Sequence, residues 1–362
     1  MNSKAFVTGK KYLWIGLVLL IAIKIFSSNA ERVETLYSSG IYKAISTILR
    51  GLFGWMPFSF GDILYFFAGC WLLWKLVKNT TLLFKRQLKG KLFAGKFFKL
   101  LTLLIVILLV FNVLWGLNYS RQGIAQQLQL EATAFDTSDV LILQKLLLEK
   151  VNASKATLTK TNSVYPTKKD LLTRAANCYA ESSQTFPFFR YNIPSLKSSF
   201  YSTLGNYLGF TGYYNPFTGE AQVNTAVPRF LQPYIATHEI AHQLGYAKEN
   251  EASFVGYLAA VNSNDTLFHY STYLDLYIYA NREVFYFDSV ASKQSFSLLA
   301  PAVKKDVEEW KQFTLSHRSF IEPAITWMYG NYLKMNQQPQ GMRSYNEVVF
   351  MLLKYYKKFG KI

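Results

Sequence analysis

His238-Glu239-Ile240-Ala241-His242 puts two imidazoles four residues apart, with a carboxylate directly after the first. Side chains four apart on a helix share a face, so both rings can offer a nitrogen to one divalent ion, Zn²⁺ above all. Glu239 then lies within reach of a metal-bound water, able to take its proton and later pass it to a leaving amine. Zinc lowers the pKa of such a water towards neutrality. The chemistry indicated is metal-assisted hydrolysis of an amide. The chain has four histidines and two of them complete this pattern. His269 and His317 lack motif partners and are assigned structural roles. A hydrolytic site needs a third protein ligand and keeps its fourth position for water.

Gly245 follows the second histidine by three residues, a position from which it can end the helix in a left-handed turn and send the chain back over the metal. Zinc peptidases with a third histidine place it three residues after this glycine, where this chain has Lys248. The segment Glu249-Asn250-Glu251-Ala252-Ser253 instead resembles the Glu-x-x-x-Asp signature of thermolysin-like and related membrane peptidases, with Ser253 in place of the aspartate. That resemblance implies Glu249 as the third ligand and Glu251 as the alternative, the other being a supporting group. GFTGYYNPFTGEAQVN (209–224), HEIAHQLGYAKENEASF (238–254) and the late GMRSYNEVV together resemble an uncharacterised family of bacterial envelope membrane proteins of the HExxH zinc metallopeptidase kind. It implies a zincin-like fold and an envelope location.

Other residues carry weaker expectations. Tyr345, with Arg343 nearby, could stabilise the oxyanion of a tetrahedral intermediate, although a plain core or surface tyrosine is the simpler reading. The end of the 209–224 run alternates as a strand does, and Glu220–Asn224 either pairs with an extended substrate as a sheet edge or is only a hairpin supporting the motif helix.

The elements that must position these residues fall into two parts. Residues 1–118 form a membrane anchor with three expected transmembrane helices at about 12–28, 61–77 and 97–117. Residues 119–362 form one α+β, mostly helical metallopeptidase-like domain, with helices at Thr137–Val151, Lys168–Ser182, Glu251–Val261, Ser271–Phe285, Val303–Ser316, Ile321–Asn336 and Tyr345–Phe359. A small hairpin around 208–224 precedes the motif helix. The net charge is +17, but residues 1–118 hold 15 Lys and Arg against Glu31, Glu34 and Asp62. The basic charge therefore reads as a topology signal, and the outer part carries no nucleic-acid module. The Lys-rich 78–96 loop and the N-terminus are expected on the cytoplasmic side of a bacterial inner membrane, with the C-terminal domain periplasmic. The Leu52–Phe60 segment is expected to be a lipid-facing turn. Two cysteines without a CxxC exclude thiolate zinc. The expected activity is hydrolysis of envelope polypeptides or peptides. The rivals are a non-catalytic envelope sensor or assembly protein and a zinc amidase acting on cell-wall material.

Overall fold

A computed structural model describes residues 3–84, 90–131 and 134–362, apart from the side chains of 3–10, 83 and 90–94. Lys85, Arg86 and Lys89 of the basic loop lie outside the described residues. The chain is a mostly helical α+β protein.

Helix α1 (Ser3–Ser27) runs through the first apolar stretch. Asn29 ends it and caps the next helix, its side chain accepting from the Arg32 N–H at 2.8 Å. The short α2 (Ala30–Arg32) continues through a π-helical stretch, Val33–Ile41, into α3 (Tyr42–Phe53). Lys11–Ser27 and Ala30–Phe53 meet at 98°. Two further helices follow, α4 (Phe60–Phe84) and α5 (Gly90–Leu114). Within them Phe60–Leu82 and Gly95–Leu114 are each long and apolar enough to cross a membrane. The expected first crossing at 12–28 belongs to the bent pair, which supplies a third crossing if its two arms are one span.

Beyond α5 the chain folds as α6 (Gly123–Gln127), α7 (Thr137–Lys160), α8 (Lys168–Ser182), β1 (Leu196–Ser198), α9 (Ser202–Leu208), β2 (Gly212–Asn215) and β3 (Glu220–Val223). Next come α10 (Gln232–Gln243), which carries the histidines, α11 (Glu249–Val261), α12 (Thr266–Phe287), α13 (Ser289–Ser297), α14 (Pro301–Ser316), α15 (Glu322–Met335) and α16 (Val348–Phe359). Local sequence explains several starts. Asp136 and Asp139 form a capping box before α7, and Thr167 accepts from the Asp170 N–H before α8. Asp265 and Asp288 cap α12 and α13 in the same way.

The sheet has the order β1-β3-β2, with β1 parallel and β2 antiparallel to β3. The hairpin is present, but the expectation that Glu220–Asn224 offers an edge to substrate is overturned. β3 is the central strand, paired on both sides, and the edge nearest the motif helix belongs to β2. The Leu52–Phe60 segment also differs from a plain lipid-facing turn. Lys197 on β1 donates to the carbonyls of Gly54 (2.6 Å) and Met56, so the segment is fastened to the sheet.

The motif helix lies at the centre of the core. Ala236, Ile240 and Ala241 of α10 and Ala252, Val255, Leu258 and Ala259 of α11 are fully buried. The two helices approach closely because α11 carries Gly256, where a Cβ would lie 3.0 Å from the His238 backbone nitrogen. From α8, Tyr179 donates to the Thr237 carbonyl at 2.6 Å and Ser182 to the Ala259 carbonyl at 2.9 Å. These contacts clamp α10 and α11 together, which places Glu249 against the histidines.

Candidate metal centre

Helix α10 ends where its sequence demands. Gly245 has φ +88°, and the Tyr246 N–H reaches back to the Ala241 carbonyl at 3.1 Å. A side chain at 245 would also meet the Tyr42 ring at 2.8 Å. The turn leaves only residues 244–248 between the two site helices. The last carbonyls of α10 are satisfied from the other part of the chain. Tyr42 and Ser46 of α3 donate to the Gln243 carbonyl at 2.9 and 3.0 Å, and Trp115 Nε1 donates to the His242 carbonyl at 3.2 Å. Arg121 donates to the Gly245 carbonyl at 3.0 Å and is paired in a buried fork with Glu34, at 2.8 and 2.6 Å.

His238, His242 and Glu249 come together as one buried group, their ligand atoms all within 4.8 Å of one another. Glu249 Oε2 lies 3.2 Å from His238 Nε2 and 3.4 Å from His242 Nε2. A tetrahedral zinc with bonds of about 2.0–2.1 Å sets its ligands roughly 3.3 Å apart, so this edge length fits the ion. The two rings are nearly perpendicular, at 86°. Each Nδ1 is occupied elsewhere: that of His242 against the Tyr246 carbonyl at 2.8 Å, that of His238 against Ser253 Oγ at 3.2 Å. Nδ1–H donation in both rings turns both Nε2 atoms toward Glu249, where they can ligate a metal once any proton they carry has left.

The charges are consistent with a cation site. Burial works against the Glu249 carboxylate, but the adjacent His242 and His238 hold its pKa well below the usual carboxylate range. Burial lowers the pKa of His238. For His242 burial is outweighed by the charge and hydrogen bond of Glu249, and its pKa rises to about 9. Glu249 Oε2 is buried, and the two imidazole nitrogens are the only partners it faces among the described residues. A buried anionic oxygen held against two imidazole nitrogens fits a bound divalent ion.

Glu239 lies on the same helix, 4% exposed, its Oε2 also without a hydrogen bond. Burial pushes its pKa up to about 8. It abuts Gly212 of β2, where any side chain would collide with its carboxylate. Glu251 is turned away from the group. It packs against Gly123 and lies 3.6 Å from Lys248 Nζ. Tyr345 stands at the site, its ring stacked on His238 with centroids 6.3 Å apart. His269 and His317 bond to the Ser263 and Phe313 carbonyls, both at 2.8 Å.

Two site residues escaped the sequence reading. Tyr329 of α15 donates to Glu249 Oε1 at 2.6 Å, leaving Oε2 to the histidines. Burial raises its pKa well above the usual phenol value, so it stays a donor. Gln338 accepts from the Glu249 N–H at 2.9 Å. Neither has a local signal: their contacts span 80 and 89 residues, and tyrosine is among the commonest residues here, with 25 in the chain. The two cysteines are free.

Residues 37–353 match the family model described as Protein of unknown function (DUF3810). No curated protein and no solved structure matches the chain.

Proposed function

Because the chain belongs to the DUF3810 family, whose function is unknown, its activity has to be argued from the site, and we propose a membrane-anchored zinc metallopeptidase acting on envelope polypeptides or peptides. The observation that carries this reading is the pairing of a three-ligand group, His238, His242 and Glu249, with a buried, unbonded Glu239 beside it. A purely structural metal site takes four protein ligands and has no use for the extra carboxylate.

Zinc held by the three ligands would supply a Lewis acid for the scissile carbonyl and make water acidic enough to react. The chain's own residues do the rest. Glu239, buried and unbonded beside the ligands, is placed to accept the proton of the attacking water and return it to the departing amine, and a nearby cation would favour its ionised form. Tyr329 holds Glu249 by one oxygen and so fixes the direction of the other. Tyr345, over the face of His238, is the phenol proposed to donate to the oxyanion. An extended substrate would pair with the edge of β2, where Gly212 leaves room beside Glu239. With the Lys-rich loop cytoplasmic, this chemistry takes place on the outer face of the membrane.

The test uses the full chain and its E239Q variant, incubated with envelope polypeptides while new amino termini are read by mass spectrometry. Both proteins should keep zinc, and termini made by the native protein should form roughly 10²–10⁴-fold more slowly with E239Q, the usual size of a lost general base. Equal cleavage by both would contradict the mechanism.

A further inference from the structure

The edge of the site is built onto the ends of the membrane helices. Leu114 is the last residue of the Gly95–Leu114 span, and Trp115 follows it directly. Trp115 bonds the His242 carbonyl, lies 6.0 Å ring to ring from His242, and is 5.2 Å from the ring of Tyr214 on β2. The other span starts at Phe60, and its first N–H groups, Phe60 and Gly61, donate to Glu220 of β3 at 3.0 and 2.6 Å. Asp62, two residues in, receives the Tyr213 hydroxyl of β2 and the Phe200 N–H at 2.7 Å. Tyr213 and Tyr214 of the proposed substrate edge are thus tied to the start of one span and the end of the other.

A second observation points the same way. Phe200 (60%), in the turn that leads from Asp62 into helix α9, is exposed, and so are Leu204 (52%) and Tyr207 (42%), which share one face of that helix. Helix α15 is joined to it through Ser319, whose hydroxyl donates to the Tyr207 carbonyl at 2.6 Å, and exposes Trp327 (71%) and Met328 (60%). Uncovered aromatic and aliphatic faces continuous with a membrane span suit the lipid headgroup layer.

We propose that the metal centre lies at the bilayer surface and that its substrates are membrane-anchored polypeptides, cut a few residues from the point where they leave the membrane. This rests on the metallopeptidase reading. The reaction is plain hydrolysis. Water's oxygen bonds to the peptide carbon, the C–N bond breaks, and the proton taken by Glu239 goes to the new amine. An extended chain rises ~3.3 Å per residue, so the 6.0 Å from the Trp115 ring to the His242 ring equals about two residues, and a site this close to the span end reaches only the first few residues of an emerging substrate, about five at most.

The experiment reconstitutes the zinc-loaded full chain in phospholipid vesicles with three forms of one mixed-sequence peptide segment. The first follows directly on an apolar helix of about 20 residues. The second is held off the same helix by a proline-rich spacer, at about 3.1 Å per residue. The third is free in solution. Cuts should fall within about five residues of the helix end in the first form. The spaced segment should be cut at least tenfold more slowly, although it is equally confined to the membrane and so equally concentrated. Cleavage of the spaced or free segment as fast as the first would overturn the substrate class and leave the peptidase reading intact. Zinc retained with none of the three cut would overturn both.

Discussion

Ser253 gives His238 a neutral partner at 3.2 Å, at the position where the Glu-x-x-x-Asp signature carries an aspartate. A hydroxyl orients the ring but adds little basicity, so the site depends on Glu249 for its charge. Ser253→Ala should therefore weaken zinc binding by about 10–100-fold without unfolding the protein, read by competition with a chelating dye. The protons of the metal-free site set a second expectation. The His242 pKa is raised to about 9, so below that pH a proton stands where the proposed zinc would bind. Zinc must displace it, and affinity should rise with pH from neutrality up to about 9 and then level off. Calorimetry at pH 7.5 in buffers of different ionisation enthalpy should register about one proton released per zinc. The same raised value gives the metal-free protein stability that is complete below the unfolded histidine pKa and lost as pH climbs through about 9. The grouping of His238 and His242 with Glu249, and Glu239 beside them, was readable in the sequence because the geometry is local: one helix, one turn, the start of the next helix. Tyr329 was not readable, since its partner lies 80 residues away.

Between elements, what matters is how α10 is held. Its carbonyl end is closed by Tyr42, Ser46, Trp115 and Arg121, all from before the outer helices. Arg121 and Glu34 are 3% and 11% exposed, and removing one member of such a buried pair strands the other charge. Arg121→Ala should cost about 3–5 kcal/mol, seen as a lower denaturation midpoint. Gly212→Ala is expected to behave differently. Its methyl would meet the Glu239 carboxylate, so zinc should stay bound while hydrolysis falls. A variant that loses zinc instead would show that β2 supports the ligands rather than the base. The elements with clear caps, such as α8 after Thr167, were legible before the structure. The stretch 30–53 was not, because exposed Leu36, Ile41, Ile48 and Leu52 are interspersed with buried Val33, Tyr37 and Tyr42, and periodicity does not separate the two sets. β1 has three residues, too short to leave an alternating pattern, and without it the central place of β3 was hidden.

For the whole molecule, the two self-sufficient spans and the bent pair bear on sidedness. If the bent pair crosses once, a reporter active only in the cytoplasm should work when fused after residue 90 and fail after residue 130. The reverse pattern would put the metal centre inside the cell. The long apolar runs made the candidate spans legible, whereas the fastening of the site to those helices was not, since Trp115 and Asp62 look like ordinary span-end residues in the sequence. The central claim is that His238, His242 and Glu249 hold a zinc ion. It is tested most directly by metal analysis of the purified full chain beside its Glu249→Ala and Glu251→Ala variants. The native chain and Glu251→Ala should each carry one zinc per molecule, and Glu249→Ala close to none, since two histidines alone leave the ion short of its three protein ligands. A native chain without zinc, or zinc kept by Glu249→Ala and lost by Glu251→Ala, would contradict the account.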